Sequence, residues 1–349
     1  MKAMMLTGIR RMEMREVPDP EIRGDKDVLL RMAVVGVCGS DIHYYVEGKI
    51  GKQVVEYPFT VGDEGAAVVE AVGRAVKRVK PGDRVSIEPA MPCGDCDQCR
   101  AGRPHTCRKL RFLRCPRQAE GCLSERIVMP EGSCFPLRER MTFEQAALSE
   151  PLAIGVYGVK QSIPMKGARI GILGAGPIGL SVLLPAREQG AERIYVTDRI
   201  DARVEFARRA GATWAGNPDS EDVVAAIRER EPHLLDAVFE CCGQQTACDQ
   251  AIDLLKPGGK LMVIGIPKEI RLSFKVDDMR HKEVSIQNVR RQNHCVQPTL
   301  DMIDRGAVDV DPMVTHRFPF EETPEAFDLV ADYRAGVIKA MVHFEGGKR

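Results

Sequence analysis

The apolar positions of this chain fall into two textures. Up to Glu150-Pro151 they come in short runs broken by turn residues. Val28-Leu29-Leu30-Arg31-Met32-Ala33-Val34-Val35 is one run, and Ala66-Ala67-Val68-Val69-Glu70-Ala71-Val72, stopped by Gly73, is another. Pro81-Gly82-Asp83 then turns the chain before Arg84-Val85-Ser86-Ile87. Such runs predict strands with turns between them, and helical periodicity is scarce in this part. Beyond Pro151, strand and helix patterns alternate. Arg169-Ile170-Gly171-Ile172-Leu173 predicts a buried strand, followed by a glycine-rich turn and an apolar helix through about Glu188. Arg193-Ile194-Tyr195-Val196-Thr197 predicts the next strand and Asp201 to Ala210 the next helix, with Ala237-Val238-Phe239-Glu240 and Lys260-Leu261-Met262-Val263-Ile264 continuing the series. That rhythm is βαβ, so this part is an α/β fold with a doubly wound parallel sheet. After about Gln287 the pattern is mixed again and ends on a strand-like Ala340-Met341-Val342-His343-Phe344.

Charge and composition narrow the function. Lys+Arg and Asp+Glu both number 50, and a chain with no basic excess is a poor candidate for nucleic acid, so a small molecule is the expected partner. No apolar run is long enough to span a bilayer, and Met1-Lys2-Ala3-Met4-Met5-Leu6-Thr7-Gly8 lacks the core of a signal peptide. A cytoplasmic location is expected, where clustered thiols are reduced and serve as metal ligands.

Gly174-Ala175-Gly176-Pro177-Ile178-Gly179 fits G-x-G-x-x-G and lies between a predicted strand and a predicted helix, where a dinucleotide loop belongs. Its first glycine makes the turn, its second lets a pyrophosphate approach, and its third lets helix pack on strand. The helix N-terminus then offers free N–H groups to phosphate. Asp198 ends the second strand, 19 residues after Gly179. A carboxylate there accepts bonds from ribose hydroxyls and repels a 2′-phosphate, so NAD is favoured over NADP; the adjacent Arg199 weakens that preference. An ordinary βαβ turn that binds nothing is the competing reading.

Cys93, Cys96, Cys99 and Cys107 follow C-x2-C-x2-C-x7-C in a segment crowded with prolines and glycines. Four thiolates close a tetrahedral shell around zinc and leave no open position, so the site is read as structural. An iron–sulfur cluster and a reduced, metal-free loop remain open. No basic recognition helix follows, unlike a nucleic-acid zinc finger. The remaining cysteines apart from Cys38, such as Cys241 and Cys242, are expected to be buried apolar residues.

Two further segments complete the picture: Gly36-Val37-Cys38-Gly39-Ser40-Asp41-Ile42-His43-Tyr44 and Val61-Gly62-Asp63-Glu64-Gly65. With the two preceding sites, they make the whole chain resemble the zinc-containing medium-chain dehydrogenases, most of all their sorbitol (polyol) dehydrogenase branch. The resemblance implies a GroES-like, mainly-β catalytic domain over residues 1–153, with the structural-zinc lobe at about 90–110. A Rossmann domain over 154–286 follows, and 287–349 returns to complete the first. It implies a catalytic zinc held by Cys38, Asp63, Glu64 and Glu150, the last from Glu150-Pro151-Leu152. Ser40 and His43 match a relay that carries the alcohol proton to solvent, and Glu150 is the third residue assigned to catalysis. The cofactor surface is expected to use Gly174, Gly176, Pro177, Ile178, Gly179, Asp198, Arg199, Arg203, Ile264, Gly265, Ile266, Val289 and Arg290. Tyr44, Glu150, Arg290 and Arg291 are expected near substrate. Family members are homodimers or homotetramers, the polyol branch usually tetrameric. The implied reaction passes hydride from a zinc-bound alkoxide of a polyol, sugar or sugar acid to NAD.

One residue departs from the family pattern. Its G-H-E motif reads Gly62-Asp63-Glu64 here, with aspartate in place of histidine. Asp63 ligates zinc, or another divalent ion or weak occupancy is used, or the catalytic metal is lost; a surface turn residue is the bland reading. Where the branch has Arg-Tyr, this chain has Arg290-Arg291, which suggests a substrate with an anionic end, such as a sugar acid or sugar phosphate, against a solvated basic turn. An alcohol, threonine or glucose dehydrogenase of the same superfamily is a second reading. An NAD-binding scaffold or regulator with structural zinc alone is a third, from another class.

Overall fold

The computed structural model describes residues 1–345. In chain order, its main elements begin with β1 (Asp27–Gly36), α1 (Gly39–Glu47), β2 (Glu64–Val72), β3 (Arg84–Ile87), β4 (Arg126–Pro130), β5 (Cys134–Pro136) and α2 (Phe143–Gln161). They continue with β6 (Arg169–Leu173), α3 (Pro177–Glu188), β7 (Arg193–Thr197), α4 (Asp201–Arg209), β8 (Trp214–Gly216), β9 (Leu235–Glu240), β10 (Leu255–Val263) and β11 (Ser285–Asn288). The last strands are β12 (Val314–Pro319) and β13 (Lys339–His343).

The chain forms two compact units. One comprises Met1–Glu150 with Val296–Arg349, the other Pro151–Cys295. The first is built on a sheet in the order β5-β3-β2-β1-β13-β12, with β4 paired to β1. Its strands are antiparallel except for β12 and β13, which run parallel. The later strand β13 sits beside β1, with Val342 opposite Val35, so a segment far along the chain completes a sheet begun much earlier. Leu30, Met32, Val35, Ala67, Val85, Ile87 and Val342 are buried in its core. Each such side chain contributes about 1.5–3 kcal/mol by leaving water.

The second unit is a parallel sheet in the order β8-β7-β6-β9-β10-β11. Ile170, Ile172, Val196, Val238 and Phe239 are all buried, the near-continuous apolar strands that a parallel sheet covered on both faces requires. The sheet order reverses at β6, whose carboxyl end feeds the glycine loop. Ligands bind at such a switch point in open α/β sheets. Among the described residues no helix is long and apolar enough to cross a membrane.

Candidate functional site: a dinucleotide cradle, a thiolate lobe and a buried ion-pair cluster

The glycine loop joins β6 to α3. Gly174 has φ +103°, a conformation that side chains with a Cβ rarely adopt. A Cβ on Gly179 would stand 1.8 Å from the Gly174 carbonyl oxygen, so only glycine lets α3 pack this close to the loop. A Cβ on Gly176 would meet only the Arg203 guanidinium, at 3.4 Å. That position is thus open for a phosphate and has a cation beside it. Pro177 opens the helix, where its missing N–H costs nothing. Asp198 accepts from the Ala175 N–H at 2.7 Å and from the Ile200 N–H at 2.9 Å, which pins its carboxylate beside the loop. A carboxylate has lone pairs to spare, so ribose hydroxyls still find acceptors. Arg199 Nε lies 2.7 Å from Asp219 Oδ2, and that pairing offsets the charge that could hold a 2′-phosphate.

The same unit carries the rest of the expected cofactor surface. Ile264 and Val289 both reach the bare face of Gly158, Gly265 donates to the Glu240 carbonyl, and Ile266 is exposed. Arg290 is exposed and Arg291, half-buried, takes the left-handed conformation with φ 54°. Cys241 and Cys242 correct an expectation: they are half-buried and exposed. They follow the carboxyl end of β9, where a parallel strand surfaces, and the Cys242 Cβ would lie 3.0 Å from a Cβ on Gly174. The cradle fits a dinucleotide in its shape, its hydrogen-bond donors and its one fixed carboxylate.

The four-cysteine lobe is assembled. Its Sγ atoms lie 3.4 Å apart for Cys93–Cys107, 3.6 Å for Cys96–Cys99, 3.8 Å for Cys96–Cys107 and 4.0 Å for Cys93–Cys99. A tetrahedron with metal–sulfur bonds of about 2.3 Å has edges of about 3.8 Å, so the thiols fit zinc. Backbone N–H groups of Arg108 and Cys99 hold the Cys96 thiol down at about 6, which favours the thiolate a metal needs.

The third cluster lies in the first unit. Cys38 ends the connection after β1 and starts α1, whose first turn carries Ser40 and Asp41. Glu64 begins β2, opposite Gly36 of β1, and Lys339 begins β13. Lys339 Nζ donates to both carboxylate oxygens of Glu64, at 2.7 and 2.6 Å, and to the Val37 carbonyl at 3.0 Å. Into this cluster reaches Arg114, on the segment after Phe112. Its Nη2 donates to Ser40 Oγ at 2.6 Å and lies 2.9 Å from Asp63 Oδ2; its Nε is 3.3 Å from Asp41 Oδ1. The guanidinium sits against the rings of Phe112 and Tyr44, with centroids at 5.3 and 5.6 Å. Arg114 is 8% exposed and has φ 58°, a backbone state that costs a non-glycine residue about 1 kcal/mol or more. The ion pairs and rings hold it there.

Ser40 Oγ also shares a hydrogen bond with Cys38 Sγ at 2.8 Å. The Tyr44 hydroxyl donates to Gln53 Oε1 at 3.0 Å, and Gln53 Nε2 donates to Cys115 Sγ at 2.9 Å. Burial pushes the Cys38 thiol well up, and the charges of Asp63 and Glu64 add to this, so the thiol is neutral. Burial, then the charge of Asp63, pushes Asp41 up to about 7 against the pull of Arg114. Asp41 Oδ2 and Asp63 Oδ1 are buried with no hydrogen-bond partner among the described residues.

The residues expected to hold a catalytic metal do not fit one. Among the described residues the four-cysteine lobe is the one group of three or more His, Cys, Asp or Glu donors that gather within 4.8 Å of one another; Cys38, Asp63, Glu64 and Glu150 form no such set. Both oxygens of Glu64 serve Lys339, and one oxygen of Asp63 serves Arg114. A dication about 4 Å from a guanidinium would be repelled by roughly 8 kcal/mol at an effective dielectric constant near 20. Asp63 is no surface turn either, at 2% exposure. Glu150 is buried and His43 half-buried, with its Nδ1 3.9 Å from Glu47. Arg114, Asp41, Lys339 and Gln53 were missed from sequence. A lone arginine in the apolar Phe112-Leu113-Arg114-Cys115 was the available signal.

Residues 24–139 match the family model for the alcohol dehydrogenase GroES-like domain, and residues 177–305 match that for zinc-binding dehydrogenases. The chain is 33% identical to the sorbitol dehydrogenase of Bacillus subtilis, over 98% of this chain and 97% of that one. It is 31% identical to the L-idonate 5-dehydrogenase of Vitis vinifera, over 94% and 91%. Among solved structures it is similar to an Escherichia coli oxidoreductase of unknown specificity, with TM-score 0.93, 31% identity and 99% of both chains covered.

Proposed function

The chain belongs to the zinc-containing medium-chain dehydrogenases, in their sorbitol dehydrogenase-like branch, and on that premise we propose that it oxidises a secondary alcohol of a polyol, sugar or sugar acid with NAD. The observation that carries this reading is Asp198, held against the glycine loop by the Ala175 N–H while Arg199 is paired elsewhere. Bound there, the nicotinamide supplies the hydride acceptor for the carbinol carbon. The glycine loop and the N-terminus of α3 take the pyrophosphate, with Arg203 beside it. Ile264, Gly265, Ile266, Val289 and Arg290 complete the cofactor surface.

On the substrate side, Ser40 takes the hydroxyl proton and passes it toward His43, whose half-buried ring can release it to water. Tyr44 and Glu150 shape the pocket. Arg291 receives an anionic end where there is one, and the L-idonate dehydrogenase relative supports a sugar acid. The four cysteines hold one zinc that ties their loop and takes no part in turnover. We place the enzyme in the cytoplasm as a homo-oligomer, a tetramer or dimer, which gel filtration with light scattering checks.

A panel of polyols, aldoses, sugar acids, simple alcohols and threonine, followed by NADH absorbance with NAD and with NADP, tests the reading. NADH formation with a polyol or sugar acid is the expected result, and turnover confined to simple alcohols or threonine overturns it. Loss of activity toward sugar acids alone in Arg291→Ala supports the anionic subsite; equal activity of that variant on acids and neutral polyols removes it.

A further inference from the structure

We propose that in this chain the Arg114 guanidinium takes the place of the catalytic metal ion, so that the protein binds one zinc, in the four-cysteine lobe, and none between Cys38, Asp63 and Glu64. The inference deepens the reading of this cluster as the alcohol-binding site, but its test is a metal count and does not depend on turnover.

Three features carry it. Asp63 stands where the family motif has a histidine, and a histidine at that position could not form the ion pair that Asp63 forms with Arg114 at 2.9 Å. The guanidinium is built in: it is ion-paired to Asp63 and Asp41, bonded to Ser40, walled by Tyr44 and Phe112, and held in a left-handed backbone state. Of the other expected ligands, Glu64 gives both oxygens to Lys339. Two fixed cations thus already face the three buried carboxylates, and the guanidinium lies within 2.9 Å of Asp63, the residue that would have to turn to a metal. A guanidinium cannot lose its charge at any working pH, so the site keeps a permanent cation next to Ser40 where relatives use an exchangeable one.

The test is zinc per chain by inductively coupled plasma mass spectrometry on the intact protein, purified with zinc present and freed of loose metal by gel filtration. About one zinc per chain is expected, from the four-thiolate lobe alone. About two overturns the proposal, whether or not the protein reduces NAD. Absence of turnover on every alcohol tried, with about one zinc per chain, would count against the proposed reaction and not against this inference. A second variant tests the cause. Asp63→His combined with Arg114→Ala restores the family donor and removes the cation, and its zinc content is expected to rise from about one to about two per chain. A folded double variant, by circular dichroism, that still holds about one zinc shows that the guanidinium is not what excludes the ion, and overturns the proposal.

Discussion

At the scale of single residues, charge placement decides most of what this protein does. Arg114 is the clearest case. Its replacement by alanine leaves Asp41 and Asp63 as buried charges without their cation, and loss of one partner of such a pair costs about 3–5 kcal/mol. Arg114→Ala is expected to lower the urea-unfolding free energy by about that much, and Arg114→Lys to restore only part of it, because a lysine cannot span Ser40, Asp41 and Asp63 with one planar fork. Asp198 offers a second test. Asp198→Ser removes the carboxylate that repels a 2′-phosphate, and the ratio of kcat/KM for NAD over NADP is expected to fall about tenfold or more. Asp198 was legible in the sequence because its spacing from the glycine loop is set by one βα unit. Arg114 was not, because its partners Ser40, Asp41 and Asp63 are far away along the chain and join it only through the fold. The departure at Asp63 was visible, but its reason lies in the arginine it meets.

Elements read more easily than residues. The strand Arg84–Ile87, the strand Arg169–Leu173 and the helix ending at Glu188 all stand where apolar period and turn residues placed them. The C-x2-C-x2-C-x7-C spacing likewise located a lobe whose four sulfurs do converge. Cys242 was misjudged because burial at a strand's carboxyl end depends on the turn that follows and not on residue type. The loop between β6 and α3 has no slack: a Cβ on Gly179 would meet backbone, not a movable side chain. Gly179→Ala is expected to cost about 1–3 kcal/mol of stability through overpacking and to weaken NAD binding measured by calorimetry. In the lobe, Cys96→Ser is expected to release zinc to a chromogenic chelator and to lower Tm, since ligand binding free energy here is folding free energy.

At the scale of the whole molecule, the first unit is a sheet assembled from segments far apart along the chain. Glu144, at the start of α2, ties two of them together: its carboxylate takes bonds from Arg317 of β12 at 2.7 and 2.8 Å and from His343 of β13 at 2.9 Å. Burial alone would push Glu144 up, but these partners outweigh it and hold it near 2. Because its pKa is depressed on folding, the stability it contributes is present in full above the ordinary glutamate value of 4.5 and is lost as pH falls from there toward 2. Denaturation midpoints of Glu144→Gln and the unaltered chain are expected to differ at neutral pH and to converge near the acid end of that window. The parallel sheet of the second unit was foreseeable from its βαβ rhythm. The pairing of β13 with β1 was not, since a single strand pattern does not name its neighbour.

That pairing has a consequence for how the protein is made. A ribosome delivers β1 long before β13. Residues 151–295 can therefore reach their native arrangement while the chain is still attached. The earlier-made sheet must wait with the β13 side of β1 unfilled, a span in which chaperones have their best opportunity to bind.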